Sequence, residues 1–359
     1  MTSRDVTLTR RTPATIREVA DHAGVSQMTV SRVMNSPDRV KTATRERVRE
    51  AMVALGYRPN LLARNLAGGR SLFIGLIYDN PSPGYLTELL LGALRSCEAQ
   101  GHHLVLQDIG AGTDDPVDPV TLARRVSERP IDAIIVAPPL SEDAGVRAVL
   151  AGSGLPCVLI APAEASADEA AVAIDDEAAA AAMTAHLIAC GHERIAFIAA
   201  PEDHRTGTRR TRGYRDALAE AGIEVPDGYA ERGGFTYRSG MEAAARLLAL
   251  PVPPTAIFAA NDDMAAGAVA AAHQAGLTVP TDLSVAGFDD TGMATTVWPQ
   301  LTTVRQPIAD MAAKAVTLLS QRWGQAGSED GGDAPHERFG FTIVQRDSVA
   351  PPPGGAGDR

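Results

Sequence analysis

Cysteine is scarce in this chain. Its three residues, Cys97, Cys157 and Cys190, are scattered through 359 positions. They are too few for a disulfide framework and lack metal-ligand spacing, so they read as buried thiols in a reducing compartment. Aromatic residues make up only 4% of the chain, whereas alanine is abundant, so the helices are expected to pack closely through small side chains. No apolar run reaches the roughly 18 residues that a membrane-spanning helix requires. Arg4, Arg10 and Arg11 are not followed by an apolar core segment. The expectation is therefore a cytoplasmic protein that does not use the ordinary export signal. No GxxxxGK[ST] phosphate loop occurs. Asp262-Asp263 and Asp289-Asp290 resemble an acid–base pair, but no nucleophile or metal-ligand set accompanies them. Hence no catalytic residue, metal or cofactor is expected, and the chain does not read as an enzyme.

What is present is unevenly distributed. The length suits two or three domains, and 45% hydrophobic residues suffice for sizeable cores. Net charge is −11, but residues 1–70 hold 13 Lys and Arg against 6 Asp and Glu, a charge of +7. The remainder holds 20 basic and 38 acidic residues, a charge of −18. A basic head on an acidic body implies a polyanionic partner for the head alone.

Helical periodicity opens the chain in three bursts. In "TIREVADHAG", Thr15 and Glu18 form a capping-box pattern and Gly24 supplies a stop. "SQMTVSRVMN" follows, capped by Ser26. "TATRERVREAMVALGY" comes third, with Thr42 or Thr44 as cap and Val48, Met52 and Leu55 on one face. Gly56 and Pro59 end it, and "PNLLARNLAGGR" reads as a linker that suits helix or coil. From Leu72, apolar runs such as "SLFIGLIY", "IDAIIVAPP" and "LPCVLIAP" alternate with helices, among them "VTLARRVSERP". The pattern restarts with "RIAFIAAP", "PTAIFAAN" and "LSVAGFDD". That spacing predicts βαβ units in two doubly wound layers, with a ligand cleft outside the carboxyl ends of the strands. "RFGFTIVQRDSVAPP" reads as a last strand and a disordered end.

Two short helices joined by "AGVS" make a helix-turn-helix. The second helix must enter the major groove, so Val30 and Val33 are expected to pack inward. Ser26 and Thr29 suit phosphates, Gln27 suits adenine, Met28 suits a thymine methyl and Arg32 suits guanine.

"TIREVADHAGVSQMTVSRVMN" and "TRERVREAMVALGYRPNLLARNLAGG" resemble the DNA-binding head of the lactose-repressor (LacI/GalR) family. "HLIACGHERIAFI", "GYRDALAEAG", "PTAIFAANDDMAAGAV", "VPTDLSVAGFDD" and "PQLTTVRQP" resemble that family's effector domain. The resemblance implies a small all-α helix-turn-helix head (13–58), a hinge (59–70) and an α/β periplasmic-binding-protein-like effector domain (71–349) of two doubly wound subdomains. Their expected extents are 71–173 with 304–335, and 174–303 with 336–349. It implies Gln27, Met28 and Arg32 as base readers. It places Thr15, Ser26, Thr29, Ser31, Asn35 and Thr44 at backbone-contacting positions and Leu66 as a wedge into the minor groove.

For the effector, the resemblance places Tyr85, Thr206, Arg210, Phe235, Asn261 and Asp289 in the cleft, with Asp175 in the cleft or hinge. An aromatic plate among carboxylate, amide and guanidinium groups suits a sugar, with nucleobases or nucleosides as the alternative. "NPSPGYLTEL" departs from the family's usual first loop, and His204-Arg205 before Thr206 would favour an anionic ligand, although His204 also suits a solvated surface. The expected whole is a homodimeric transcriptional repressor on pseudo-palindromic operator DNA, nucleoid-associated when bound and with no membrane partner. A small-molecule effector switches it, and induction and corepression both remain open. A solute-binding protein and a sugar-modifying enzyme are the rivals from other classes.

Overall fold

A computed structural model describes residues 15–35, 40–55, 71–108, 122, 126, 131–201, 204–324 and 334–353. The chain divides into two compact units between Ser71 and Leu72.

The first unit contains α1 (Ile16–Ala23), α2 (Gln27–Asn35) and α3 (Thr42–Ala54). Thr15 starts α1 through a reciprocal capping box with Glu18. Gly24 ends it at φ +63°, a left-handed conformation that costs glycine little and turns the chain towards α2. Ser26 Oγ accepts the Thr29 amide at 3.2 Å and so opens α2. Val19, Ala20, Ala23, Val30, Val33, Val48 and Ala51 form the core, with Met52 and Leu55 packed at its edge. Neither Thr42 nor Thr44 caps α3: Lys41 takes that position without a side-chain bond, and the Thr42 hydroxyl accepts from Arg45 instead.

The second unit is built from two six-stranded sheets. The first half comprises β1 (Phe73–Tyr78), α4 (Pro83–Gln100), β2 (His103–Asp108), β3 (Ala133–Val136), α5 (Ala144–Gly152), β4 (Cys157–Ile160) and β5 (Ala170–Ala173). Then come α6 (Asp176–Ala189), β6 (Ile195–Ala199), α7 (Arg205–Glu220), β7 (Ala230–Arg232), α8 (Tyr237–Leu248), β8 (Ala256–Ala259), α9 (Asp262–Gln274) and β9 (Ser284–Asp289). The chain finishes with α10 (Gly292–Thr296), β10 (Thr302–Arg305), α11 (Ile308–Gly324), β11 (His336–Arg338) and β12 (Thr342–Val344).

The sheet orders are β11-β5-β4-β3-β1-β2 and β12-β10-β9-β8-β6-β7. All neighbours are parallel except β12 against β10. Each sheet reverses direction beside its first strand, and such a switch point opens a crevice at the carboxyl ends. Short side chains set the helix spacing. Gly240 of α8 and Gly267 of α9 each face the other helix's backbone so closely that a Cβ would collide with it. Gly213 of α7 does the same against Glu177 of α6.

The sequence-derived boundaries need correction at the end of the chain. His336–Arg338 pairs with β5, so it belongs to the first half and not the second. Arg305 pairs with Asp289, so β10 stays wholly in the second half past residue 303. The passage between halves after β11 thus falls between Arg338 and Thr342. The expected disordered end is ordered through Pro353. Ser348 is fully buried, donates to the Val285 carbonyl at 2.6 Å and accepts the Thr302 amide at 2.8 Å. Buried His192 donates through Nε2 to the Ala350 carbonyl at 2.9 Å. Of the helix expected in "VTLARRVSERP", only Leu122 and Val126 fall among the described residues, and both are buried.

Candidate functional site

The recognition helix presents an exposed polar edge over an apolar base. Val30 and Val33 are buried, whereas Gln27 and Arg32 are exposed and Met28 is 65% exposed. An apolar side chain so open to water on a short polar helix suits a partner surface. Ser26 and Thr29 hydroxyls lie 2.9 Å apart and are already engaged with each other and with the helix start. Thr15 is exposed within its capping box, and Ser31 and Thr44 are half-buried. Asn35 ends α2, its side chain lying outside the described residues together with Leu66 and the whole of 59–70.

In the second unit, a cavity lies where the carboxyl ends of both sheets meet. The loop after β1 contributes Asn80, Pro81 and Ser82, and α4 contributes Tyr85. Pro138, Pro139 and Glu142 follow β3, and Ala161 follows β4. From the second half come His204, Thr206, Arg210, Phe235, Asn261 and Asp289. Tyr85, Thr206, Arg210, Phe235, Asn261 and Asp289 are thus brought together. Asp175 is not among them. It caps α6 by accepting the Ala178 amide and pairs with Arg209 at 3.5 Å and Arg338 at 3.1 Å, because it sits where the chain passes between halves.

A buried charge network underlies the cavity. Arg210 donates through Nε to Asp176 at 2.9 Å and through Nη1 to the Ala260 carbonyl at 2.6 Å. Asp289 lies 3.6 Å from the same Nη1, and the guanidinium stacks over Phe288 at 3.6 Å. Burial disfavours the Arg210 charge, but Asp176 and Asp289 outweigh it and hold its pKa above the ordinary value. Gln306 donates to Asp289 at 2.6 Å. Burial still pushes the Asp289 carboxyl up, against the pull of Arg210. Asp262 is raised too, by burial and then by Asp289, while Thr303 and Thr291 donate to it. Asn261 is consumed by structure: its Nδ2 donates to the Phe235 carbonyl and its Oδ1 caps α9. Phe235 at φ +58°, Ala161 at +46° and Asp289 at +108° are held in backbone conformations unfavourable for side-chain-bearing residues, and all three line the cavity.

Hydrogen bonds cross the cleft. Ser82 donates to Asp263 at 2.5 Å. The Thr206 amide donates to Glu142 Oε1 at 2.7 Å, and the Thr206 hydroxyl approaches the same oxygen. Arg209 donates to the Ala163 carbonyl at 2.8 Å. Two buried polar atoms of residues lining the cavity are left without partners, Tyr85 Oη and Glu142 Oε2. Burial raises the pKa of both groups, with Asp289 adding to the effect on Tyr85 and the Thr206 bonds opposing it at Glu142.

Sequence reasoning missed Glu142, Ser82 and Pro138-Pro139, and it left His204 open. His204 is half-buried, lines the cavity and lies 5.0 Å from the Phe235 ring. Each of these residues follows a parallel strand, and the carboxyl-end rule could have found them. Arg205 is exposed and outside the lining. Among the described residues no group of three His, Cys, Asp or Glu could hold a metal ion. No described helix is long and apolar enough to cross a membrane.

Residues 15–60 match the model for bacterial regulatory proteins of the lacI family, and residues 184–349 match a periplasmic binding protein-like domain. Catabolite control protein A of Priestia megaterium is 37% identical over 308 residues, covering 86% of this chain and 92% of that protein. The ribose operon repressor of Escherichia coli (strain K12) is 33% identical over 309 residues, covering 86% and 93%. Among solved structures, the lac repressor dimer bound to operator and the anti-inducer ONPF aligns with a TM-score of 0.74 at 29% identity, covering 94% of this chain and 100% of that one. The transcriptional regulator CelR–cellobiose complex aligns at 0.70 and 30% identity, covering 93% and 99%.

Proposed function

The chain belongs to the lacI family of bacterial regulatory proteins, a DNA-binding head joined to an effector-binding domain, and from that premise we propose a homodimeric repressor whose operator affinity is switched by a sugar-like effector. The observation that carries this reading is the cavity itself, which gathers an aromatic plate, a guanidinium and carboxylates at the carboxyl ends of two sheets. Stacking on Phe235 suits the apolar face of a ring, and the carboxylates suit its hydroxyls. The relatives named for ribose and cellobiose favour a sugar. The aromatic pair Phe235 and His204 keeps a nucleobase as the second reading.

The site binds and does not catalyse. Asp262 and Asp263 are occupied by Thr291, Thr303 and Ser82, and the Arg210–Asp176 and Arg210–Asp289 pairs are likewise internal. Glu142, Ser82 and Arg209 reach partners across the cleft, so its openness is set by a few bonds. An effector that binds one state better shifts the equilibrium by the difference in its two affinities. The sequence's hinge, with Leu66 as wedge, would pass that shift to the heads.

Two heads on a pseudo-palindrome require base readers on α2. Arg32→Ala should weaken specific binding by about 1–3 kcal/mol and relax discrimination at one base. Fluorescence anisotropy on operator and scrambled DNA measures both, and equal losses on the two would remove Arg32 from base reading. Asp289→Ala should leave operator binding intact and abolish the effector response. A thermal-shift screen of sugars and nucleosides identifies the ligand class, because a ligand bound only by the folded state raises its apparent stability.

A further inference from the structure

Charges around the cavity do not balance. Arg210 is the one Lys or Arg among the described residues lining it, and Asp176 and Asp289 both stand against that cation. No Lys or Arg among the described residues pairs with Glu142: Oε1 accepts the Thr206 amide and hydroxyl, the Arg205 backbone also bonds the carboxylate, and Oε2 is buried without a hydrogen-bond partner among the described residues. Facing the same space is Tyr85, 5% exposed, whose hydroxyl also lacks a partner. That hydroxyl lies within electrostatic reach of Asp289, Arg210, Asp176 and Glu142.

We propose that the effector carries a protonated amine seated against Glu142, on a hydroxylated ring whose hydroxyl meets Tyr85, making it an amino sugar and not a neutral or acidic one. The proposal rests on the effector-site reading above and narrows its ligand.

A carboxylate removed from water without a cation is costly, and the cost persists when a neutral hydroxyl is its only new neighbour. An ammonium group supplies both the donor for Oε2 and the missing charge, and charge-assisted bonds are shorter and roughly twice as strong as neutral ones. An anionic ligand, which His204-Arg205 favoured in the sequence, would meet Glu142 and Asp289, while Arg205 is exposed and Arg210 is already shared by two acids. Glu142 also holds Thr206 from the other half. An ammonium on Oε2 would therefore strengthen a group that already bridges the cleft, tying recognition of the amine to closure.

The test is calorimetric titration of the purified full chain with glucosamine, galactosamine and mannosamine, each beside its parent hexose and its N-acetyl derivative, in buffer that keeps the amines protonated. At least one amino sugar is expected to bind about ten-fold or more tightly than its parent and its N-acetyl form. Glu142→Gln should erase that preference, lowering amino-sugar affinity about ten-fold more than affinity for the parent hexose. If the variant does not fold, the wild-type preference for the amine over its N-acetyl form decides alone. A parent hexose or N-acetyl form that binds as well as the amine overturns the proposal, as does a preference that survives Glu142→Gln. Binding of nucleosides or neutral sugars with no amino sugar bound overturns it while the effector reading stands. An operator affinity that responds to no small molecule in a broad metabolite screen removes both.

Discussion

The two halves of the effector domain share one strand order yet meet the cavity in opposite conditions. In the second half, Arg210 is paired with Asp176 and Asp289 before any ligand arrives, and Gln306 donates to Asp289 although its own Oε1 is buried without a partner. In the first half, Tyr85 Oη and Glu142 Oε2 are buried and unpaired. The same strand order thus gives one wall whose charges are paired and one with spare bonding capacity at the cavity. Hydrogen-bonded charges hold a fixed geometry, so the second wall sets orientation, while the unpaired atoms of the first wall gain most from a ligand.

Substitutions on the two walls should therefore differ in kind. Arg210→Met strands Asp176 and Asp289 and should cost about 3–5 kcal/mol of stability, read from urea unfolding, along with effector binding. A stable Arg210→Met protein would show that the second wall is not internally dependent. Ser82→Ala removes the cross-cleft donor to buried Asp263 and should cost about 1–3 kcal/mol. Tyr85→Phe deletes a hydroxyl with no protein partner, so stability should stay within about 0.5 kcal/mol while effector affinity falls. A large loss of stability there would erase the contrast between the walls.

A smaller effect is the response to pH. Asp289, Asp262 and Glu142 have carboxyls raised above their unfolded values, so the folded state binds their protons more tightly. Their contribution to stability is full below the unfolded pKa near about 4 and is lost as pH rises through the raised values. Glu169, before β5, runs the other way. Burial acts to raise it, but Arg147 and Ser166 override this and hold it down to about 2. Its contribution is present above the unfolded value and is lost as pH falls towards about 2. Urea midpoints across pH should show both limbs, and Asp289→Asn should flatten only the upper one.

Much of this arrangement was legible in the chain. The helix-turn-helix announced itself because Thr15, Glu18 and Gly24 mark the ends of α1 and Val30 and Val33 of α2 must face inward. The family resemblance names Tyr85, Thr206, Arg210, Phe235, Asn261 and Asp289, and all six line one cavity; Asn261 and Asp289 are also legible as the ends of the apolar runs "PTAIFAAN" and "LSVAGFDD". Three strands escaped: Ala170–Ala173, Ala230–Arg232 and Thr302–Arg305 lack the Ile, Leu or Phe that mark the equally short β3, β4 and β8 as apolar runs. Glu142 escaped because its importance lies in what it lacks, a partner, and that depends on neighbours from four other parts of the chain. Asp175, expected in the cleft or the hinge, lies at the passage between halves and not in the cavity lining, because the α6 cap and two arginines claim its carboxylate.

The last two strands give the effector domain a particular folding order. β11 closes the edge of the first sheet and β12 the edge of the second, and only residues 339–341 separate them. Every other strand precedes them, so a ribosome has emitted nearly the whole domain before either sheet can be finished. During synthesis β5 and β10 present open backbone, the condition under which sheets pair with the wrong chain. A chain interrupted before His336 would lose a border from each sheet at once, and both halves would become sticky together.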